Sequence, residues 1–146
     1  MVIRGDRILL VEHHLFGRDF CTLPGGGVEE GETPEQAAVR ELSEECCVSG
    51  RIIRPLTVEY KPDMESRVYT FLVEIPDDAQ PARGIDPELA ADEQSIVAVS
   101  WRRLNEIPER DRAYLFGAGL MRIPFFHDEV LMWEEDISYP RKKMFP

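Results

Sequence analysis

The chain has 146 residues, 43% apolar and 31% charged, with a formal net charge of −11, the profile of a globular domain long enough to bury a core without disulfides. No apolar run approaches the roughly 18 residues that span a bilayer, and the acidic balance argues against a nucleic-acid polymer as partner. The opening stretch MVIRGDRILLVEHH carries charges where a signal peptide would be apolar, so a cytoplasmic protein with a single domain over residues 1–146 is expected.

Taken in chain order, Ile8 to Glu12 within RILLVEHH reads as a strand after a turn at Gly5-Asp6. Phe20 to Leu23 is extended, because the residue before Pro24 avoids helical angles, and the chain then enters the glycine turn Gly25 to Gly27. A helix follows from an N-cap at Thr33, with Pro34 at its first position and Gln36 closing a capping box, and it runs to about Cys46. GRIIRPLTVEY and SRVYTFLVEI are rich in β-branched and aromatic residues and predict two antiparallel strands joined through KPDMES. Pro76 to Gln94 is an acidic loop with three prolines, Ser95 to Leu104 a further strand, and Glu109 to about Met121 a second helix weakened by Gly117 and Gly119. Strands, helix, strands, helix is the order of an α/β fold with helices on the faces of a mixed sheet. Cys21, Cys46 and Cys47 are an odd set with two adjacent, and they read as small buried apolar groups rather than a disulfide framework or a metal motif.

Chemistry concentrates on the first helix. Glu41, Glu44 and Glu45 stand at i, i+3 and i+4 and project from one face, beside an apolar stripe of Ala38, Leu42 and Cys46. Three carboxylates so placed repel one another unless a positive charge lies among them, so the stretch is either a solvated face or a site for a hard divalent cation such as Mg2+ or Mn2+. The glycines let the backbone approach a ligand closely, and Arg40 has partners in reach at Glu32 and at Glu44 one turn on.

Gly26, Glu32 after five residues, Arg40-Glu41-Leu42 after seven more, then Glu44-Glu45 and Val48 resemble the box of the Nudix hydrolase family, G-x5-E-x7-R-E-U-x-E-E-x-G-U, with Cys47 where that pattern has its last glycine. The resemblance implies an α/β/α sandwich around a mixed β-sheet that hydrolyses a nucleoside diphosphate linked to another moiety with Mg2+ or Mn2+. It implies metal ligation by Glu41, Glu44, Glu45 and a carbonyl of Gly25 or Gly26, with Glu32 and Arg40 structural. The general base is one of the box glutamates or an acid of the later loop, Glu88, Asp92 or Glu93, of which Glu93 is favoured. Pro62 stands fifteen residues after Cys47, as in members that hydrolyse ADP-ribose, although turn chemistry alone also predicts a proline there. Met64 and Glu65 occupy the region where dinucleoside polyphosphate hydrolases have a tyrosine, and no coenzyme A signature precedes the box. ADP-ribose or a sugar nucleotide is therefore slightly favoured as substrate, with nucleoside triphosphates and a non-catalytic nucleotide sensor as alternatives.

His13 and His14 alternate faces on a strand, so at most one reaches a ligand, and simple exposure accounts for both. Arg54, Arg67, Arg102 and Arg103 are candidates for phosphate, and Tyr60, Tyr69, Phe71, Trp101 and Phe116 for stacking on a base, most of these aromatics being core. Phe125, Phe126, Trp133 and Tyr139 would be costly to expose, so the extension from about residue 122 is expected to pack on the domain or form part of a homodimer contact.

Overall fold

Ile8, Leu9, Leu10 and Val11 are all fully buried, as in a strand covered on both faces. They form the middle of β2 (Arg7–Leu15), which pairs antiparallel with β1 (Ile3–Arg4), β3 (Arg18–Thr22) and β6 (Ile96–Arg103). The β6 register runs along β2 from Arg7 to His13, while β1 and β3 pair with its opposite ends. The computed structural model describes residues 1–133 apart from 86, 88, 91 and 92. Glu88, Asp92 and Tyr139 thus lie outside the described residues.

β2 is longer than the sequence suggested because it continues through both histidines into a hairpin. Phe16 and Gly17 both take positive φ, 51° and 72°, the geometry that matches strand twist in a two-residue turn. A phenylalanine is an unusual occupant of such a position, so this turn carried no signal. β4 (Arg51–Lys61) and β5 (Ser66–Glu74) form a second antiparallel pair, with a 3-10 turn over Pro62–Met64. A parallel bridge between Val2 and Val73 links the two groups of strands and makes the arrangement mixed.

α1 (Pro34–Cys46) has the expected capping box, with Thr33 Oγ1 accepting from the Gln36 N–H and Gln36 Oε1 accepting from the Thr33 N–H. It packs Leu42 and Cys46, with Ala38 partly buried, against Leu9, Val11, Phe71 and Val73, and Ala37 is buried as well. Ile8 and Leu10 point the other way, into a cluster with Leu56, Leu104, Leu115, Leu120 and Phe126. Alternation along β2 therefore feeds two cores, one under α1 and one under the C-terminal helices, which is the α/β/α sandwich. The predicted second helix ends early. α2 (Glu109–Gly117) stops before Gly119, whose φ of 94° is left-handed, and α3 (Pro124–Leu131) begins after a 3-10 turn. Phe126 on α3 is fully buried and Trp133 packs beside that core, whereas Phe125, expected to be covered, is half exposed. Among the described residues no helix is long and apolar enough to cross a membrane.

Candidate active site

The carboxylates of α1 gather around Arg40. Its Nε and Nη2 bind both oxygens of Glu32 at 3.0 and 3.1 Å, Nη2 also donates to Gly27 O at 2.8 Å, and Nη1 donates to Glu41 Oε1 at 2.9 Å and Glu44 Oε2 at 3.0 Å. The glycine loop, Glu32 and two helix carboxylates are thereby tied to one guanidinium. Its hydrogen bond from Arg40 holds the Glu32 carboxyl below the usual range, and the same partner, followed by Glu41 and Glu44, keeps Arg40 firmly charged. Glu45, buried like Glu41, accepts the Gly25 N–H at 2.9 Å. A Cβ on Gly26 would lie 2.3 Å from Glu41 Oε1, so a side chain there would push the Glu41 carboxylate out of its present place.

The donor set is all oxygen, as a hard divalent cation requires. Glu41 and Glu44 converge on a single nitrogen, Arg40 Nη1, which occupies the position a cation between them would take. Among the described residues no group of three or more His, Cys, Asp or Glu is gathered ready to hold a metal. A cation between Glu41 and Glu44 would displace Nη1 from both, and because the guanidinium is planar and rigid its bonds to Glu32 and Gly27 O would have to adjust with it.

α1 ends in an unusual environment. Cys47 stands at the left-handed cap position with φ 56° and donates its N–H to Ser43 O at 3.0 Å, and it is exposed rather than buried because the cap lies past the helix face that Cys46 packs on the sheet. Beyond it, the loop following β5 returns across the helix end, and the N–H groups of Ala82, Gly84 and Ile85 donate to the carbonyls of Cys46, Glu45 and Glu44 at 2.9, 2.8 and 3.2 Å. Glu93, in the same loop, accepts the Ala90 N–H at 3.3 Å and so closes its own turn.

Beside Glu41 and the glycines opens a cleft of about 850 Å3, walled by β2 and β3 on one side and β5 on the other. His13 and Phe20, opposite one another across β2 and β3, stack in this wall with centroids 5.0 Å apart and planes 10° from parallel. Ser95 Oγ and Thr22 Oγ1 hold the two imidazole nitrogens at 2.9 Å each, and partial burial pushes the His13 pKa down, so the ring is neutral near pH 7. His13 is thus half-buried in the cleft rather than exposed. His14 is exposed and pairs with Asp19. Tyr69 and Phe71 line the β5 wall, and Tyr114 reaches the cleft from α2.

Of the arginines singled out in the sequence, Arg67 alone lines the cleft. Arg102 binds Glu12, Arg103 binds Asp6, and Arg54 donates to Arg122 O. Trp101 lies under the Arg4 guanidinium, 4.7 Å from its ring centroid, and Phe116 packs against the core. Sequence reasoning did not single out Phe20, Tyr114 or Gly84. Phe20 precedes the glycine turn by a few residues, and that proximity was the available clue.

The NUDIX domain family matches residues 1–122. The NAD-capped RNA hydrolase NudC of Klebsiella pneumoniae is 30% identical over 105 residues, covering 72% of this chain and 37% of that protein. Diphosphoinositol polyphosphate phosphohydrolase 3-alpha of Mus musculus is 41% identical over 73 residues, covering 49% of this chain and 44% of that protein. The chain spans less than half the length of these curated relatives. A solved NUDIX hydrolase from Nitrosomonas europaea superposes with a TM-score of 0.59 at 20% identity, covering 94% of each chain. A C. elegans Ap4A hydrolase superposes at 0.54 with 22% identity, covering 87% of this chain and 89% of that one. At these identities the structural likeness speaks for the fold.

Proposed function

With the NUDIX domain spanning residues 1–122, the chain belongs to the Nudix family, and from that premise we propose that it hydrolyses the pyrophosphate bond of a nucleoside diphosphate linked to another group. The observation that carries this reading is the convergence of Glu41 and Glu44 on one point beside the glycine loop, at the edge of a cleft large enough for a nucleotide. A divalent cation, Mg2+ or Mn2+, supplies phosphate neutralisation and a more acidic attacking water when bound. Glu41, Glu44, Glu45 and a carbonyl of Gly25 or Gly26 are the groups to hold it, with Arg40 and Glu32 fixing the loop on the helix.

Water attacks phosphorus, one P–O bond forms as the bridging P–O bond breaks, and the proton passes to a carboxylate. We assign that role to Glu44. Its side chain is 28% exposed against 9% for Glu41, so of this pair it is the more open to water. Glu93, which the sequence favoured, accepts the Ala90 N–H through one carboxylate oxygen within its own turn.

A flat uncharged ring suits the cleft better than a polyanion. His13 and Phe20 present a neutral stacked wall, Tyr69 stands on the other side, and Arg67 is the one Lys or Arg among the described lining residues. A diphosphoinositol polyphosphate, the substrate named for the mouse relative, would call for a basic cluster. ADP-ribose or a sugar nucleotide fits, carrying one diphosphate and an aromatic base. The test is product release from a panel of nucleoside diphosphate derivatives with Mg2+ or Mn2+, native chain against Glu44→Gln. Turnover lost in the variant supports the hydrolase, whereas ligand binding without turnover in either protein would overturn it in favour of a sensing module.

A further inference from the structure

The last turn of α1 carries Glu44 and Glu45 where a helix tolerates negative charge least, next to its own unpaired carbonyls and with no basic residue in that turn. Three consecutive carbonyls there, of Glu44, Glu45 and Cys46, are nevertheless satisfied by N–H groups of residues 82 to 85. Gly84 makes this docking possible. A Cβ on it would fall 1.7 Å from Glu44 O, 2.8 Å from Glu44 C and 3.0 Å from Glu45 C. The obstruction is backbone, so no side-chain rotation can relieve it.

We propose that residues 82 to 85 form a strap that positions the Glu44 and Glu45 carboxylates by capping α1, with Gly84 as the positioning residue. This rests on the hydrolase reading for its functional meaning, but not for its geometry. The strap supplies partial positive charge at the helix end, and it stops the last turn from fraying, which would swing both carboxylates away from Glu41. It also takes over part of the task that the cap glycine performs where the box is complete, since Cys47 reaches its left-handed conformation only with strain.

The experiment compares Gly84→Ala with Gly50→Ala. A Cβ on Gly50 would strike Val73 Cγ1 at 2.6 Å and Leu42 Cδ2 at 2.9 Å, a packing injury that leaves the strap bonds untouched. Both variants should melt below the native chain. Only Gly84→Ala should weaken Mn2+ binding, measured calorimetrically, by on the order of tenfold, and only it should speed amide exchange of Glu45, Cys46 and Cys47. Should Gly84→Ala not fold, Ala82→Pro takes its place: it removes the N–H donated to Cys46 O and sets a ring carbon against that oxygen. Native-like Mn2+ affinity and exchange in the strap variant, or equal losses in Gly50→Ala, would overturn the proposal. If the native chain binds no Mn2+ or turns nothing over, the hydrolase reading fails, and exchange in the last turn of α1 still decides the strap.

Discussion

Replacing Arg40 with alanine removes the guanidinium that binds Glu32, Glu41 and Glu44 together. The side chain is 20% exposed and makes two bonds to Glu32, one each to Glu41 and Glu44, and one to Gly27 O. Breaking a buried ion pair costs about 3–5 kcal/mol, and partial exposure reduces this, so the loss should be about 2–4 kcal/mol. For a domain of this size that is a fall in melting temperature of roughly 6–12 °C. Mg2+ or Mn2+ should then restore more stability to the variant than it adds to the native chain, because the cation replaces a missing charge instead of displacing a present one. Arg40→Lys should recover little, since an ammonium cannot span Glu32 and the helix carboxylates together. Scanning calorimetry with and without Mn2+ reads both effects. A variant melting within about 1 °C of the native chain, or one indifferent to the cation, would refute the role assigned to Arg40.

Phe20→Ala should weaken AMP binding on the order of tenfold while leaving ribose 5-phosphate unaffected, as expected when base stacking is lost; equal effects on both ligands in a titration would remove the ring wall from the binding site. Glu12 is held below the ordinary carboxyl value of 4.5 by its hydrogen bond from Ser100 and then those from Arg102. Its stabilising contribution is therefore fully present above that value and is lost as pH falls through the lowered pKa. Melting curves of native and Glu12→Gln proteins should converge in acid, and a constant gap would contradict the assignment. Phe126→Ala empties a fully buried site between the C-terminal helices and the sheet and should cost about 3–5 kcal/mol in urea unfolding; a loss under about 1 kcal/mol would mean that α3 contributes little to the fold.

The amino-acid sequence alone determined where α1 starts, because Thr33, Pro34 and Gln36 are a local capping signal that needs no tertiary partner. It also determined the Arg40 pairings with Glu32 and Glu44, since helical spacing and a short loop put them within reach. β4 and β5 followed from β-branched and aromatic composition, and β6 from its alternation of apolar and polar residues. What lay beyond it was every relation between distant segments. Whether His13 or His14 faces the cleft depended on the β2–β3 register, which a turn through Phe16 and Gly17 sets without a recognisable signal. The fate of Arg54, Arg102 and Arg103 depended on which carboxylate or carbonyl the fold brought to each. Above all, Gly84 sits about forty residues after α1, in a stretch that reads only as an acidic loop, and its need to be glycine arises from a backbone oxygen of Glu44 that tertiary folding alone brings against it.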